Sequence, residues 1–204
     1  GVFGSSDDPI DGIYGGGSGY MATGLWTDNG AIPNVNGGNI YGKSGQTVAS
    51  LTINGGEFYC TNGVFAGGRG TDYYYSTDDY GGTYSYYTDL GKIFGNVEMN
   101  INGGTFHCPV FGGGYGVADA KLKNTETINT LSDMALITGQ SRVNINGGTF
   151  YKNIYGGGDM ARIENSSNDA TILSISDNAN VLDSVFAGGN GRRKREASVI
   201  KIEN

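Results

Sequence analysis

Apolar and polar side chains alternate along several short stretches of the chain. In Val97–Ile101 and Arg142–Ile145 every second side chain is apolar, which is the period of a β-strand and not of a helix. Each stretch is followed by Asn-Gly-Gly or a relative of it, and these residues tolerate the positive φ angles of a corner. A second short apolar pair and a run of glycines come next. The pattern predicts strand, corner, strand and a further bend.

This unit is repeated along the chain. NINGGTF occurs twice, each time followed by an aromatic residue and three glycines, and two looser copies flank this pair. The copies are 53–58 with 64–68, 100–106 with 110–114, 144–150 with 154–158, and 175–180 with 185–189. A shorter pattern, Val or Ile, then Phe or Tyr, then Gly or Ala, begins at Val2, Ile13, Ile40, Val64, Ile93, Val110, Ile154 and Val185. Internal repetition is therefore the dominant signal.

The spacing of the copies predicts the architecture. Aligned isoleucines lie 48, 44 and 30 residues apart, whereas motif and glycine run stay 9 to 11 residues apart. Length therefore varies only in the loops after the glycines, as in a solenoid. We predict an all-β chain, 1–204, folded as one single-stranded parallel β-helix domain with long lateral loops, and clearest over 40–204. The loops at 18–39, 68–92, 115–136 and 159–171 should leave on one side. A propeller fits less well, since its blades need four strands each.

The units NGGTF and (V/I)(F/Y)GGG resemble the glycine-rich right-handed parallel β-helix repeats of bacterial cell-surface and autotransporter-like proteins. The likeness covers about residues 40–204. It implies a secreted solenoid displayed at the bacterial surface, here expected to be a segment of a longer protein. It does not imply one activity, because such a scaffold serves many functions.

Neighbouring residues of a strand point to opposite faces, so the apolar pairs predict two columns. With Val and Ile inside, rings at Phe65, Phe111, Tyr155 and Phe186 form an outer ladder, which either is buried as a secondary core or serves as a stacking strip for sugars. A column of Asn54, Asn102 and Asn146 is expected to chain amide hydrogen bonds.

Cys60 and Cys108 both lie seven residues after an aligned isoleucine. Adjacent coils would place them one above the other, within the range that a disulfide accepts. Stacked reduced cysteines also pack well as small hydrophobes. The sequence predicts proximity and leaves the bond open.

Composition and charge argue against several classes of partner and cofactor. The chain has 38 Gly, 14 Tyr and a net charge of −7, which argues against nucleic acid as a partner. No apolar run is long enough to span a membrane, so we expect no membrane insertion in this segment. One His and two Cys cannot form a closed zinc site, and we predict neither metal nor cofactor.

The leading contact candidate is the loop at 68–91, because Tyr offers rigid area and a hydroxyl. Its candidate ligand-binding residues are Tyr73, Tyr74, Tyr75, Asp78, Asp79, Tyr80, Tyr84, Tyr86 and Tyr87. The alternative is a structural flap. A basic run, Arg192, Arg193, Lys194 and Arg195, follows Gly-Gly-Asn-Gly and is expected to lie in a loop, either as a solvated turn or as an anion contact.

Some parallel β-helices cleave pectin, so catalysis is the alternative function. Asp78-Asp79 lies in the Tyr-rich loop, His107 has no flanking glycines, and Arg162-Ile163-Glu164 carries the wrong charge at its third place. We therefore expect a non-catalytic extracellular solenoid that displays loops for adhesion or glycan binding, with glycans or host cell-surface components as partners. A polysaccharide-active glycosidase or lyase is the runner-up, and a structural spacer or filament segment is third. Open ends could also self-associate.

Overall fold

The structure is a computed structural model that describes residues 1–19, 37–43, 45–70, 90–116, 134–165, 169–191, 193–195 and 200–202. All regular secondary structure in these ranges is β. Four of the five sheets in these ranges contain only parallel strand pairs, so the chain has an all-β fold with parallel sheets.

The strands of each sheet come from successive copies of the repeat. Sheet A contains β1 (Val2–Phe3), β5 (Glu57–Phe58), β9 (Thr105–Phe106), β12 (Gly148–Phe150) and β15 (Ala179–Val181). Sheet B contains β2 (Ile10–Tyr14), β6 (Cys60–Phe65), β10 (Val110–Phe111), β13 (Ile154–Tyr155) and β16 (Val185–Phe186). Sheet C contains β4 (Thr47–Ile53), β8 (Asn96–Ile101), β11 (Ser141–Ile145) and β14 (Thr171–Ile175).

Two smaller pairings complete the fold. β3 (Ile40–Tyr41) pairs in parallel with β7 (Ile93–Phe94), and isolated bridges extend this pairing to Ile137 and Ile163. β17 (Arg193–Arg195) pairs antiparallel with β18 (Ile200–Ile202). The prediction that the basic run lies in a loop is therefore wrong for its last three residues. The partner strand alternates Ile-Lys-Ile, which is the period of a β-strand.

The register confirms the alignment of the repeats. Ile53, Ile101, Ile145 and Ile175 are paired in sequence across sheet C. Val64, Val110, Ile154 and Val185 are paired in the same way across sheet B. The chain passes from sheet C to sheet A to sheet B, and it does so four times in this order.

One motif match was misplaced. Val2-Phe3 has the same residue pattern as Val64-Phe65, but it pairs with Glu57-Phe58 in sheet A and not with sheet B. The Val-Phe dipeptide fits either sheet, so its place depends on the hydrogen-bond partner and not on the local pattern. Ile13-Tyr14 is the sheet B equivalent at this level.

The core lies between the three sheets. Alternate residues of β8, Val97, Met99 and Ile101, are buried, while Glu98 and Asn100 face outward, which confirms the period of two. Phenylalanines of sheet A stack in this interior, with ring centroids 4.7 Å apart between Phe58 and Phe106 and between Phe106 and Phe150.

The asparagine column also forms as predicted. Asn102 Nδ2 donates to Asn54 Oδ1 at 2.7 Å, and Asn146 Nδ2 donates to Asn102 Oδ1 at 2.8 Å. A second pair, from Asn144 Nδ2 to Asn100 Oδ1 at 2.9 Å, runs beside it. Each hydrogen bond between asparagine amides links neighbouring copies of the repeat, so the column fixes their register.

Candidate functional site: a groove along the outer aromatic ladder

The two columns of sheet B face opposite ways. Val64, Val110 and Ile154 belong to the interior core, whereas Phe65, Phe111 and Tyr155 form a separate apolar cluster with Tyr115. We call the stacked rings of Tyr14, Phe65, Phe111, Tyr155 and Phe186 the outer ladder. Their centroids are 5.2, 4.7, 4.8 and 5.0 Å apart in that order, with nearly parallel planes. The predicted ladder is confirmed.

The ladder is not a stacking surface over most of its length. Phe65, Phe111 and Tyr155 are buried, and each ring face is covered by the next ring. A sugar that stacks on an aromatic ring needs a free face, and along this part of the ladder only ring edges remain. Phe186 at the end of the column is 45% exposed. The inner rungs therefore act as a secondary core.

A groove runs beside this ladder with a cavity volume of about 210 Å³. Its lining comes from the ladder, from two residues of β6, from the turns that precede β10, β13 and β16, and from a column of residues joined by parallel bridges after those strands. The lining residues are Thr61, Asn62, Pro109, Phe111, Lys152, Asn153, Tyr155, Asp159, Asp183 and Asn190. Four successive copies of the repeat contribute to one concave surface.

Hydrogen bonds hold the polar side chains of the groove in place. Asp159 is only 1% exposed, and its Oδ1 accepts a hydrogen bond from Asn190 Nδ2 at 3.0 Å. Asn153 Nδ2 donates to the Tyr155 hydroxyl at 2.9 Å, while Asn153 Oδ1 accepts from the Ser184 amide at 3.2 Å. A buried carboxylate is costly unless it is hydrogen-bonded, so the Asn190 contact explains how Asp159 is tolerated.

An ion-pair network covers the opposite end of the ladder. Asp11 Oδ2 accepts from Arg69 Nε at 3.1 Å and from the Tyr14 hydroxyl at 2.9 Å, and Asp11 Oδ1 accepts from Asn62 Nδ2 at 3.0 Å. The Arg69 guanidinium also lies 5.9 Å from the centroid of the Tyr115 ring. Burial, and then the hydrogen bond to Asp11, raise the pKa of Tyr14. The polar groups here satisfy one another, and Asn62 belongs both to this network and to the lining of the groove.

A second ring stack lies on the outside of sheet A. The rings of Tyr59, His107 and Tyr151 are nearly parallel, with centroids 4.2 and 4.9 Å apart. Glu57 Oε1 accepts from the Tyr59 hydroxyl at 2.8 Å and lies 3.1 Å from His107 Nε2. The hydrogen bonds from Tyr59 and His107 lower the pKa of Glu57. Sequence reasoning missed this stack, although each ring directly follows an aligned phenylalanine.

The two cysteines are brought together as predicted. Both are buried and both are free thiols. The pKa of Cys60 is raised, first because its thiol is hydrogen-bonded to that of Cys108 and then by burial. Cys108 Sγ also approaches the Phe58 carbonyl oxygen at 3.9 Å.

The Tyr-rich loop lies outside the described residues over 71–89, so its candidate positions Tyr73, Tyr74, Tyr75, Asp78, Asp79, Tyr80, Tyr84, Tyr86 and Tyr87 are placed only by sequence. Arg192 also lies outside them, and only the backbone of Arg193, Lys194 and Arg195 is described. The bases of the loops are described: Ser18, Arg69, Tyr115, Asp159 and Asn190 are bridged in one column. The loops therefore begin at one place on the stack, as predicted.

Within the described ranges, no three His, Cys, Asp or Glu side chains converge as metal ligands, and no helix is long and apolar enough to cross a membrane. No protein-family model matches the chain, and no significantly similar curated protein or solved structure was found.

Proposed function

We propose that the chain is a non-catalytic, extracellular β-solenoid that binds glycans on its lateral face, as a bacterial surface adhesin would. The groove beside the outer ladder carries this proposal. It is concave, it combines carboxylate, amide and ammonium groups with aromatic edges, and its polar side chains are fixed by neighbours. Ligand sites in proteins commonly have this combination of a largely preformed cleft and a few oriented polar groups.

The single-stranded parallel β-helix is the finer form of the fold that we propose. It is supported by the fourfold passage through sheets C, A and B in the same order and by the unbroken register of the pairs. In a solenoid each repeat contacts only its neighbours. Deletion of residues 101–144 joins Asn100 to Ile145 and removes one whole repeat, so the shortened chain should keep its far-UV circular dichroism signal and unfold cooperatively. Deletion of 101–124 removes half a repeat and should abolish folding. Equal loss of structure in both variants would contradict the solenoid.

The binding proposal is tested with the purified full chain on a glycan array. Selective retention of a small set of glycans without product release is the expected result. Mass spectrometry of the bound glycans separates this from an enzyme, because turnover would release shortened products. A folded chain that retains no glycan would refute the proposal and favour a structural spacer.

Two surfaces compete as the contact site, and substitutions separate them. One is the groove; the other is the Tyr-rich loop, in which Tyr73, Tyr74, Tyr75, Tyr86 and Tyr87 would all be replaced by Ser. Glu98 lies on sheet C and faces outward, so Glu98→Gln is a matched control for the removal of one carboxylate. We expect the groove to dominate, because its side chains are already ordered by hydrogen bonds and less entropy is lost on binding.

A further inference from the structure

The charge of the groove limits the ligands that it can accept. Its lining holds two carboxylates, Asp159 and Asp183, and one ammonium group, Lys152. The formal charge of the lining residues that the structure describes is therefore negative. Asp159 is almost completely buried, so its charge is screened by solvent less than an exposed one would be. An anionic ligand would enter against this field.

The shape of the groove limits the size of the ligand and its mode of contact. A cavity of about 210 Å³ is smaller than the roughly 300–1,000 Å³ of pockets that hold drug-sized ligands. It therefore fits one sugar ring better than several. The inner ladder presents ring edges, because its faces are stacked on one another. Recognition in the groove must then come mainly from hydrogen bonds to hydroxyl groups.

The polar groups offer both kinds of hydrogen-bonding partner. Carboxylates accept hydrogen bonds, an ammonium group donates them, and an amide does both. Asn153 is fixed by Tyr155 and Ser184, and Asp159 is oriented by Asn190. A ligand that complements such a surface has several groups that both donate and accept, and hydroxyl groups do this.

We propose that the groove binds a single uncharged pyranose unit of a glycan and discriminates against uronic acids and other anionic sugars. This rests on the proposed glycan-binding function and specifies its ligand class and place. The exposed carboxylate of Asp183 accepts hydrogen bonds from sugar hydroxyls, and its charge, together with that of the buried Asp159 beside it, disfavours a sugar carboxylate. Without ring stacking the affinity for one unit is weak, so strong attachment would need several copies of the site.

The test is a titration of the ¹⁵N-labelled full chain with two probe sets, methyl glycosides of neutral hexoses and methyl glycosides of the matching hexuronic acids. Side-chain amide signals of Asn153 and Asn190 report on the groove. The expected result is that a neutral hexoside shifts both signals and that the uronide does not. Asp183→Asn should weaken hexoside binding by about tenfold, as for loss of a hydrogen bond to a charged group, and Asp159→Asn should weaken it less, because the Asp159 carboxylate is buried. The double variant should lose much of its discrimination against the uronide, whereas Glu98→Gln should change neither.

The outcomes separate this inference from the broader proposal. If the array detects glycans and binding is lost only in the Tyr-to-Ser loop variant, the groove is not the site and the inference fails while the proposed function stands. Tighter binding of the uronide than of the hexoside would also overturn the inference. Should Asp159→Asn fail to fold, Asp183→Asn still tests it, because Asp183 is exposed. If no glycan binds on the array or in the titration, both proposals fail.

Discussion

Glycine at the second position of each (Gly/Ala)-Gly-Gly run should be sensitive to substitution wherever a further copy of the repeat stacks against it. Gly16, Gly67, Gly113, Gly157 and Gly188 form one column, joined by amide-to-carbonyl hydrogen bonds of 2.9 to 3.0 Å between successive copies. A Cβ on Gly67 would lie 2.6 Å from the Gly114 nitrogen and 2.8 Å from the Gly113 carbonyl carbon. These are backbone atoms, so no side-chain rotation relieves the contact. Gly188 ends the column, and a Cβ there would meet nothing within 4 Å.

The expected free energies of unfolding follow from these contacts. Non-bonded heavy atoms prefer separations of about 3.5–4.0 Å, so the backbones at Gly67 must move apart by nearly 1 Å. Overpacking of this kind costs about 1–3 kcal/mol. Replacing Gly by Ala also restricts the unfolded chain, which stabilises a protein by about 0.4–1 kcal/mol where the site accepts the side chain. We expect Gly67→Ala to destabilise the chain by about 1–2 kcal/mol, and Gly188→Ala to be neutral or stabilising by up to about 1 kcal/mol.

Urea denaturation followed by far-UV circular dichroism measures both variants against the natural chain. Opposite signs of the change in the free energy of unfolding at these two positions would show that close approach between copies, and not backbone flexibility, requires glycine. Neither glycine has a φ in the left-handed region, so conformational strain does not confuse the comparison. Equal destabilisation by Gly67→Ala and Gly188→Ala would refute the reasoning, as would a neutral Gly67→Ala.

Three further predictions concern the interior, the Glu57 cluster and the thiols. Phe106→Ala removes a fully buried ring stacked on both sides and should cost about 3–5 kcal/mol in urea denaturation, whereas Tyr151→Ala on the exposed stack should cost far less. The pKa of Glu57 is lowered in the folded chain, so its contribution to stability is present above its unfolded pKa, about 4.3, and is lost as the pH falls through the folded value. Thermal unfolding between pH 6 and pH 3 should show a smaller acid loss in Glu57→Gln, and an unchanged acid limb would contradict this. Thiol titration without reductant should find Cys60 and Cys108 unreactive in the native chain and two thiols after denaturation, while a count of zero would reveal a disulfide.

Much of the fold could be predicted from the sequence because the repeats align themselves. Identical motifs at 100–106 and 144–150 must occupy equivalent positions, so the pairing of Asn102 with Asn146 and of Phe111 with Tyr155 follows from counting residues. Strand alternation then separates the interior column from the outer ladder. The same counting would have found the stack of Tyr59 on His107, had the residue after each phenylalanine been followed.

The groove could not be predicted by aligning the repeats, and the reason is physical. The stretch from the cysteine to the paired valine is two residues longer in the copy that contains β6, since Cys60 precedes Val64 by four positions and Cys108 precedes Val110 by two. Residues that occupy equivalent positions in the structure therefore no longer stand at equivalent positions in the aligned repeats. The position of Asn62 beside Asp11 depends on the course of β6, and that of Asn153 beside Tyr155 depends on how the turn before β13 closes. That is a tertiary property with no local signature.

The columns themselves indicate where selection on function would act. Interior positions repeat one chemistry, because each must fill the same space between sheets, as Phe58, Phe106 and Phe150 do. The bridged column at the base of the loops does not, since it places five different side chains at equivalent positions: Ser18, Arg69, Tyr115, Asp159 and Asn190. Packing alone does not require that variety, because the parallel bridges use only backbone groups. A buried carboxylate at one place and a buried ring at the next give each level of the stack its own surface, and the groove opens at the levels of Asp159 and Asn190. Repeated residues therefore build the scaffold, and the positions at which the repeat varies provide the surface for recognition.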